Sequence, residues 1–435
     1  MNDYPTPLII PRQEHSISCR FIDPHALKVL YRLRNHGFLA YLVGGCVRDL
    51  LLGKTPKDFD VATDAHPQQI RELFRNSRQI GRRFRLAHVY FPGGKFIEVS
   101  TFRRRSEFDE ADSGDLPRSE NTFGTPAEDA LRRDITINGI FYNIANFSLV
   151  DYVGGLEDLR AGIIRCIGDP EEKFVHDPVR MIRVIRHAAR TGFHIEEKTY
   201  QSLRRHVEKI RLCSPARVRE EFLRELREGS AKGSMSLMLA TGMLLVLFPP
   251  FHRPLNEAGQ REYFLQIAAA LDALSISGNT LAEEFCLALF LLPLLEFSCP
   301  VDDLPIGRKG QALFQQRVRS WVLEILGPLQ FTRYAKEAAV HLLSSQRIFQ
   351  EFLPPRKLPR RFLGKRYFSQ ALHLFEVGAR ARGEHPKKFS CQAEERKSLQ
   401  RKKKRRHHRR KMKSSFSGRG PGKYQQKNLL SSANP

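Results

Sequence analysis

The chain has 435 residues, 41% of them hydrophobic with a single Trp, enough for roughly two to four domains with their own cores. Its 72 Lys and Arg against 47 Asp and Glu leave a net charge of +25, which favours a polyanionic partner, most simply nucleic acid, over a membrane surface. The seven cysteines are scattered, with no C-x-x-C and no zinc spacing, which argues against a zinc module and suits reduced thiols in a cytoplasm.

Residues 1–23 are polar, hold Pro5, Pro7 and Pro11 and show no periodicity; they read as an extended arm without the basic start and apolar core of a secretion signal. Pro24 to Gly37 has apolar residues at Ala26, Val29, Leu30 and Leu33, a helical spacing that Gly37 ends. The next stretch, Leu42 to Thr63 (LVGGCVRDLLLGKTPKDFDVAT), organises the rest. Tyr41–Val43 reads as a strand, Gly44-Gly45 as a turn and Cys46–Leu52 as a helix. Gly44 and Gly45 carry no Cβ, so a phosphate can approach their N–H groups at a helix N-terminus. Arg48 stands in the first turn, within reach of a phosphoryl oxygen. Phe59 and Val61 suggest a strand, which turns Asp58 and Asp60 to one side. Two carboxylates that close repel each other, and a hard cation such as Mg²⁺ relieves them. Taken singly, a Gly-Gly pair is a turn and D-x-D a strand end or helix cap; their order in one short window points to a metal and a triphosphate.

His66 to Asn76 reads as a helix capped by Asp64. Gln79 to Val89 (QIGRRFRLAHV) alternates around Phe84, Leu86 and Val89 as a strand, and its Arg82, Arg83 and Arg85 either face a triphosphate or line a basic surface. Lys95 to Arg103 alternates as another strand, on which Glu98 either joins the metal site or pairs with an Arg at an edge. Residues 104–128 are polar and aperiodic, a long loop. In Asp129 to Asn143 (DALRRDITINGIFYN) a charged helix start leads to Arg132, Arg133 and Asp134, compatible with a structural Arg–Asp network. Leu149 to Gly168 holds a strand, a Gly-Gly turn, a helix and a second strand, with Asp151 before the turn.

His176 to Gly192 (HDPVRMIRVIRHAARTG) reads as a helix with Asp177 as N-cap and Pro178 in its first turn. Arg180, Arg183 and Arg186 form one basic face. An Asp oxygen can accept from an exocyclic amine while an Arg donates to the adjacent ring nitrogen. Adenine and cytosine offer that pair and guanine and uracil reverse it; by its residues alone the stretch is an amphipathic helix with a basic face. From Lys198 to about His385 the pattern is helical, including a buried helix across Met235–Pro250 too short to span a bilayer; a basic break at residues 354–361 precedes a last helix, Lys365 to Arg380. Residues 387–435 carry 17 Lys and Arg against two Glu, and RKKKRRHHRRKMK has nothing apolar but Met412, so this tail cannot fold alone and should bind phosphates with steep salt dependence.

LVGGCVRDLLLG followed by KDFDVAT resembles the head-domain signature of the polymerase-β-like nucleotidyltransferases that comprise bacterial poly(A) polymerases and class II tRNA CCA-adding enzymes. RRDITIN resembles their second signature, and HDPVRMIRVIRHA their E-D-P-x-R-x-x-R-x-x-R-F-A motif, with His176 in place of the usual acid and His187 in place of Phe. GRRFRLAHV resembles the poly(A) polymerase form, where CCA-adding enzymes carry a shorter, less basic string. The resemblance implies an α/β nucleotidyltransferase head (mixed sheet with helices), then an all-α neck and body and a disordered basic tail. Its boundaries are an arm at 1–23, a head at 24–168, a neck at 169–260, a body at 261–386 and the tail at 387–435. It implies a cytoplasmic enzyme that adds AMP from ATP to RNA 3′ ends with release of pyrophosphate, and no membrane partner. Asp58 and Asp60 would hold two Mg²⁺ ions, and Asp134 would be a further catalytic-site carboxylate. Gly44, Gly45, Arg48, Arg132, Arg133, Asp177, Arg180 and Arg183 would contact the nucleotide, with Asp177 and Arg180 selecting ATP and CTP over GTP and UTP. The CCA-adding enzyme is the alternative, and a catalytically inactive RNA-binding relative the third reading.

Overall fold

The structure, a computed structural model, describes residues 5–81, 86–104, 123–276, 281–353 and 356–385, and the backbone alone at residue 258. Arg82, Arg83 and Arg85, most of the 104–128 loop, and the tail expected at 387–435 lie outside the described residues.

The N-terminal half contains strands β1 (Leu8–Ile10), β2 (Ala40–Val43), β3 (Asp60–Thr63), β4 (Ser77–Ile80), β5 (Leu86–Tyr90), β6 (Phe96–Thr101), β7 (Ile140–Asn143) and β8 (Leu149–Asp151). They form one sheet in the order β1-β8-β7-β2-β3-β6-β5-β4, in which only β3 and β6 run parallel. Helices α1 (Pro24–Asn35), α2 (Gly45–Leu51), α3 (Pro67–Leu73), α4 (Pro126–Leu131) and α5 (Gly155–Ala161) accompany it. Helix α1 buries Ala26, Val29, Leu30 and Leu33, the stripe its sequence spacing announces. All four residues of β2 are buried, because this strand lies between β7 and β3 in mid-sheet.

Several local expectations change. The arm is not merely extended: β1 pairs antiparallel with β8 as the sheet edge, and Ile17 and Ile22 are buried. Asp64 does not cap α3; its Oδ1 accepts the Leu39 N–H at 2.8 Å, while His66 donates its N–H to Gln69 Oε1 at 2.8 Å in a capping box. The stretch read as one strand over 79–89 is two, β4 and β5, paired antiparallel with Ile80 opposite Leu86. Asp151 spends its carboxylate on the N–H groups of Val153, Gly155 and Leu156, closing the turn into α5.

Beyond the sheet, β9 (Ile163–Ile164) pairs parallel with β10 (His194–Ile195). Between them run α6 (Pro170–His176) and α7 (Val179–Thr191), and α8 (Glu197–His206), α9 (Pro215–Arg227) and α10 (Ala231–Thr241) follow. Asp177 is not the side-chain cap of α7: it terminates α6, and Arg180 N–H reaches only its backbone oxygen. The apolar run from Met235 is two helices, α10 and α11 (Met243–Leu247), divided by Gly242 at φ +82°.

The remainder is helical: α12 (His252–Leu255), α13 (Ala258–Ile276), α14 (Glu283–Leu291), α15 (Leu295–Ser298), α16 (Arg308–Leu326), α17 (Arg333–Glu351), α18 (Arg360–Leu363) and α19 (Phe368–Ala381). Phe222 of α9 packs at an angle against Phe248 (4.9 Å) and edge-on against Phe290 (5.0 Å), and Phe264 lies 5.7 Å from Phe290, so one aromatic core joins residues on both sides of position 260. No helix among the described residues is long and apolar enough to cross a membrane.

Within this helical part, Glu225 of α9 is fully buried. Its Oε2 accepts from Ser234 Oγ at 2.6 Å, and its Oε1 is 3.6 Å from Arg186, too long for a hydrogen bond. Burial pushes its carboxyl up to about 8, against the pull of Arg186 and Ser234. A carboxyl raised above its unfolded value stabilises the fold fully below that value, and the contribution is lost as pH rises through about 8. Thermal stability should therefore fall as pH rises from about 4.5 to about 8 and level off above it, and Glu225→Gln should flatten that fall; melting temperatures of both proteins across this window test it.

Candidate active site

The site grows from the end of β2. Val43 pairs with Asp60 across to β3, and Asp60 pairs with Glu98 across to β6. The chain then turns at Gly44 with φ +76° and ψ −140°, a region open essentially to glycine alone. A Cβ added at Gly44 would stand 3.3 Å from Arg133 Nη1 and 3.9 Å from Asp60 Oδ2. Gly44, Asp60 and Arg133 thus meet in one corner. Asp58 lies just before β3 rather than on it, exposed, with Phe59 buried between the two acids. Asp60 has its carboxyl raised to about 6, first by burial, then by the Glu98 and Asp58 charges, with Arg133 opposing. Glu98 itself lies 3.3 Å from His88 Nε2.

This corner has more negative charge than its one arginine balances, and its donors are carboxylate oxygens, which suit a hard divalent cation. No group of three His, Cys, Asp or Glu side chains placed to hold a metal occurs among the described residues. The protein's own share of an ion's coordination would be the Asp58–Asp60 pair, the rest coming from phosphate and water oxygens, as is usual for Mg²⁺.

Arg132 and Arg133 follow α4 rather than begin it, and both fold back on its buried Asp129. Arg132 Nε donates to Oδ1 at 2.8 Å and Arg133 Nη2 to Oδ2 at 2.9 Å. Burial pushes Asp129 upward, but Arg133 and Arg132 outweigh it and hold the carboxyl below its usual range. Arg133, also 5.3 Å over the Phe141 ring, keeps its Nη1 toward Gly44. Asp129 was invisible as a functional residue in the sequence, although its offsets of three and four from the two arginines are the helical pairing distances.

Asp134 does not join Asp58 and Asp60 in this corner's electrostatics. It is clamped by Arg180 Nη1 at 2.7 Å and Arg183 Nη1 at 2.9 Å, which overcome burial and lower its proton affinity. Arg180 also donates to the carbonyls of Arg132 and Arg133 at 3.3 Å. Arg183 Nε donates to Glu221 Oε1 at 2.8 Å, so this side chain is held between Asp134 and Glu221. Asp177 accepts from Arg217 Nη2 on both oxygens at 3.0 Å, and its Oδ2 lies 3.8 Å from Arg180 Nε. Arg217, forty residues further along, carried no local signal in the sequence.

Arg48 corrects the expectation of a phosphate clamp. It is 1% exposed; Nε and Nη2 donate to Asp49 Oδ1 at 2.9 and 2.7 Å, and Nη1 to Asn138 Oδ1 at 2.8 Å. Asp49 receives Arg190 of α7 on its other oxygen at 3.0 Å. His187, where the resemblance expects Phe, sits 3.4 Å from Arg48 Nη1, and burial, with Arg48 and Arg186, drives its pKa well below the ordinary value. Arg48 ties α2 to α7 and does not open onto the corner.

Comparison with known proteins follows the same division. Residues 40–165 match the family described as the poly A polymerase head domain, and residues 192–254 the one described as the probable RNA and SrmB-binding site of polymerase A. Poly(A) polymerase I of Salmonella typhimurium is 44% identical over 304 residues, 67% of this chain and 64% of that protein. The chain thus spans just under two thirds of that relative's length. The CCA-adding enzyme of Lactobacillus helveticus is 39% identical over 199 residues, 46% of this chain and 49% of that one. Among solved structures, the Bacillus stearothermophilus CCA-adding enzyme in complex with CTP superposes with a TM-score of 0.61 at 25% identity, over 87% of this chain and 82% of that one.

The two glycines have different duties. Gly44→Ala should destabilise the protein by about 1–3 kcal/mol through backbone strain, with Arg133 displaced. Gly45→Ala, whose Cβ would meet only the Arg48 guanidinium at 3.4 Å, should cost less. Urea denaturation midpoints of the two variants check the order.

Proposed function

The chain belongs to the nucleotidyltransferase family of bacterial poly(A) polymerases and CCA-adding enzymes, and from that premise we propose that it adds AMP from ATP to RNA 3′ ends without a template, releasing pyrophosphate. The observation that supports the reading is the meeting of Gly44, Asp60 and Arg133 beside Asp58. Asp58 and Asp60 would hold divalent cations, two Mg²⁺ ions in the full reaction, which would supply charge neutralisation at the phosphates and a more acidic 3′-hydroxyl.

The protein groups divide the remaining work. The Gly44 and Gly45 N–H groups receive the triphosphate on a backbone that carries no Cβ. Arg133, fixed by Asp129, faces the same corner and offsets phosphate charge; Arg132, on the same anchor, is the more exposed partner. Asp177 and Arg180 read the base edge: a carboxylate oxygen accepts from the exocyclic amine and the guanidinium donates to the ring nitrogen, which admits adenine and rejects guanine. Asp134, Arg183 and Arg48 act by positioning this edge against the corner. Catalysis on this reading is orientation and electrostatics, with in-line attack of the 3′-hydroxyl on the α-phosphorus. The arm, head, neck, body and tail at 1–23, 24–168, 169–260, 261–386 and 387–435 are the working division, with a cytoplasmic location.

CCA addition is the second reading, favoured by the likeness to the CTP-bound structure. GRRFRLAHV, and the longer and closer match to a poly(A) polymerase I, favour AMP addition. Purified protein with Mg²⁺, each nucleoside triphosphate singly, a generic RNA oligomer and a tRNA lacking its 3′ CCA separate the two. Long ladders on the oligomer with ATP alone are expected; addition that stops after C, C and A on the tRNA only would overturn the reading. Asp60→Ala should abolish addition while RNA binding survives. Deleting residues 387–435, which carry +15 of the net charge, should flatten the salt dependence of RNA binding; an unchanged slope would remove the tail as a main phosphate contact.

A further inference from the structure

We propose that Phe96, stacked on His88 beside the acidic corner, seats the 3′-terminal nucleobase of the RNA that receives AMP. The inference rests on the function proposed above and names a contact for its second substrate.

Strand register puts the ring there. Asp60 of β3 pairs with Glu98 of β6, Glu98 with His88 of β5, and His88 with Arg78 of β4. Residues paired across neighbouring strands project to the same face of a sheet. The row Asp60, Glu98, His88, Arg78 therefore runs outward from the corner on one face. The opposite face of β5 and β6 belongs to the core, where Ala87, Val89, Ile97 and Val99 are buried. Phe96 and Tyr90, the neighbouring pair, share the face of the row. One strand spacing across and two residues along, the Phe96 backbone stands about 8 Å from that of Asp60, within the span of one nucleotide.

The side chains there form a cluster. His88 and Phe96 stack with ring centroids 4.2 Å apart and planes at 10°. Tyr90 lies 5.9 Å from Phe96, and the Arg78 guanidinium is 5.7 Å over the Tyr90 ring. Glu98 Oε2 lies 3.3 Å from His88 Nε2, so the stack is tied to the carboxylate whose charge reaches Asp60. A cross-strand aromatic pair alone would serve the hairpin. That role needs no exposed ring, and Phe96 is 46% exposed on the face that carries Asp60.

The sheet also indicates which substrate fits. The corner lies at β2 and β3, and its two flanks differ. On the β7 flank, the segment leading into that strand holds α7, through Asp134 on Arg180 and Asn138 on His187. The ATP base proposed for Asp177 and Arg180 belongs to that flank. The other flank, β6 to β4, offers an aromatic stack with an exposed arginine, Arg78, at its outer edge. An aromatic ring accepts any base by its π-face, as an RNA end of unfixed sequence requires, and the arginine suits the phosphates that follow.

The test uses the full chain with Mg²⁺ and no ATP, and oligouridylates carrying the fluorescent base 2-aminopurine either at the 3′ end or far upstream. Stacking quenches this base. At saturating protein the terminal probe should be quenched severalfold more than the upstream one. Phe96→Ala should abolish that difference. Phe96→Tyr should keep it, and Phe96→Leu, which restores apolar bulk against His88 without a π-face, should lose it. Terminal quenching by Phe96→Ala equal to that of the unsubstituted protein overturns the seat, as does equal quenching at both probe positions or a Leu variant that matches the Tyr variant. The signal is read without chemistry, so failure to add AMP would defeat the proposed activity and leave this answer intact.

Discussion

A guanidinium taken out of water must be paired, and helix α7 obeys that constraint along its length. Arg180 meets Asp134, Arg183 is shared by Asp134 and Glu221, Arg186 meets Glu221 and approaches Glu225, and Arg190 meets Asp49. The acids come from two sides: Asp49 and Asp134 from the sheet-bearing part, Glu221 and Glu225 from α9. The helix is therefore a charged seam whose two edges belong to different parts of the molecule. Buried pairs contribute little net stability against an apolar alternative, but removing one member is costly, and the geometry they enforce is specific. What they fix here is the position of Asp177 and Arg180 relative to Gly44 and Asp60.

The corner at Gly44 reverses that balance. Along α7 every arginine has an acid; around Asp60 the acids outnumber the cation that faces them, and burial first, then the Glu98 and Asp58 charges, makes Asp60 hold its proton more tightly. Unbalanced charge beside a fully paired seam is where a ligand of opposite sign gains most. Arg133 is the hinge between the two regimes: Asp129 orients it, and its Nη1 remains turned toward the surplus of carboxylate. A divalent ion with a triphosphate would settle both signs together, the ion among the carboxylates and the phosphates against the glycine N–H groups and Arg133.

The sequence disclosed those features that depend on short offsets. Period 3.6 found α1, period two found β6, and the Gly-Gly turn and D-x-D pair marked the corner because each is local in the chain. It failed where a side chain's partner is distant. Arg48 reads as a phosphate clamp until Asn138, ninety residues on, is seen to take its Nη1; Arg217 is silent until it is found on Asp177. Breaks inside uniform patterns were also hidden: Gly242 divides an apolar run that periodicity carries straight through, and Gly81 stands between two strands that share one alternation. The strand within the arm escaped detection because three residues between prolines form a strand only when β8 offers an edge.

An arginine every third residue on one helix face invites the reading that all of them touch substrate. The geometry separates them by what they already hold. Arg183 is held between Asp134 and Glu221 and Arg186 lies between Glu221 and Glu225 of α9, whereas Arg180, held by Asp134 alone among the carboxylates at hydrogen-bond distance, lies at the end of the seam beside Asp177. Removing Arg183 would leave Asp134 and Glu221 each short of a partner in a buried place, so activity would fall whether or not this side chain meets a nucleotide. Loss of activity therefore cannot assign a base-reading role within such a seam. A change in which base is accepted can, because it requires the group's hydrogen-bonding pattern to face the base, and Arg180, 3.8 Å from Asp177, is the α7 arginine we propose for that part.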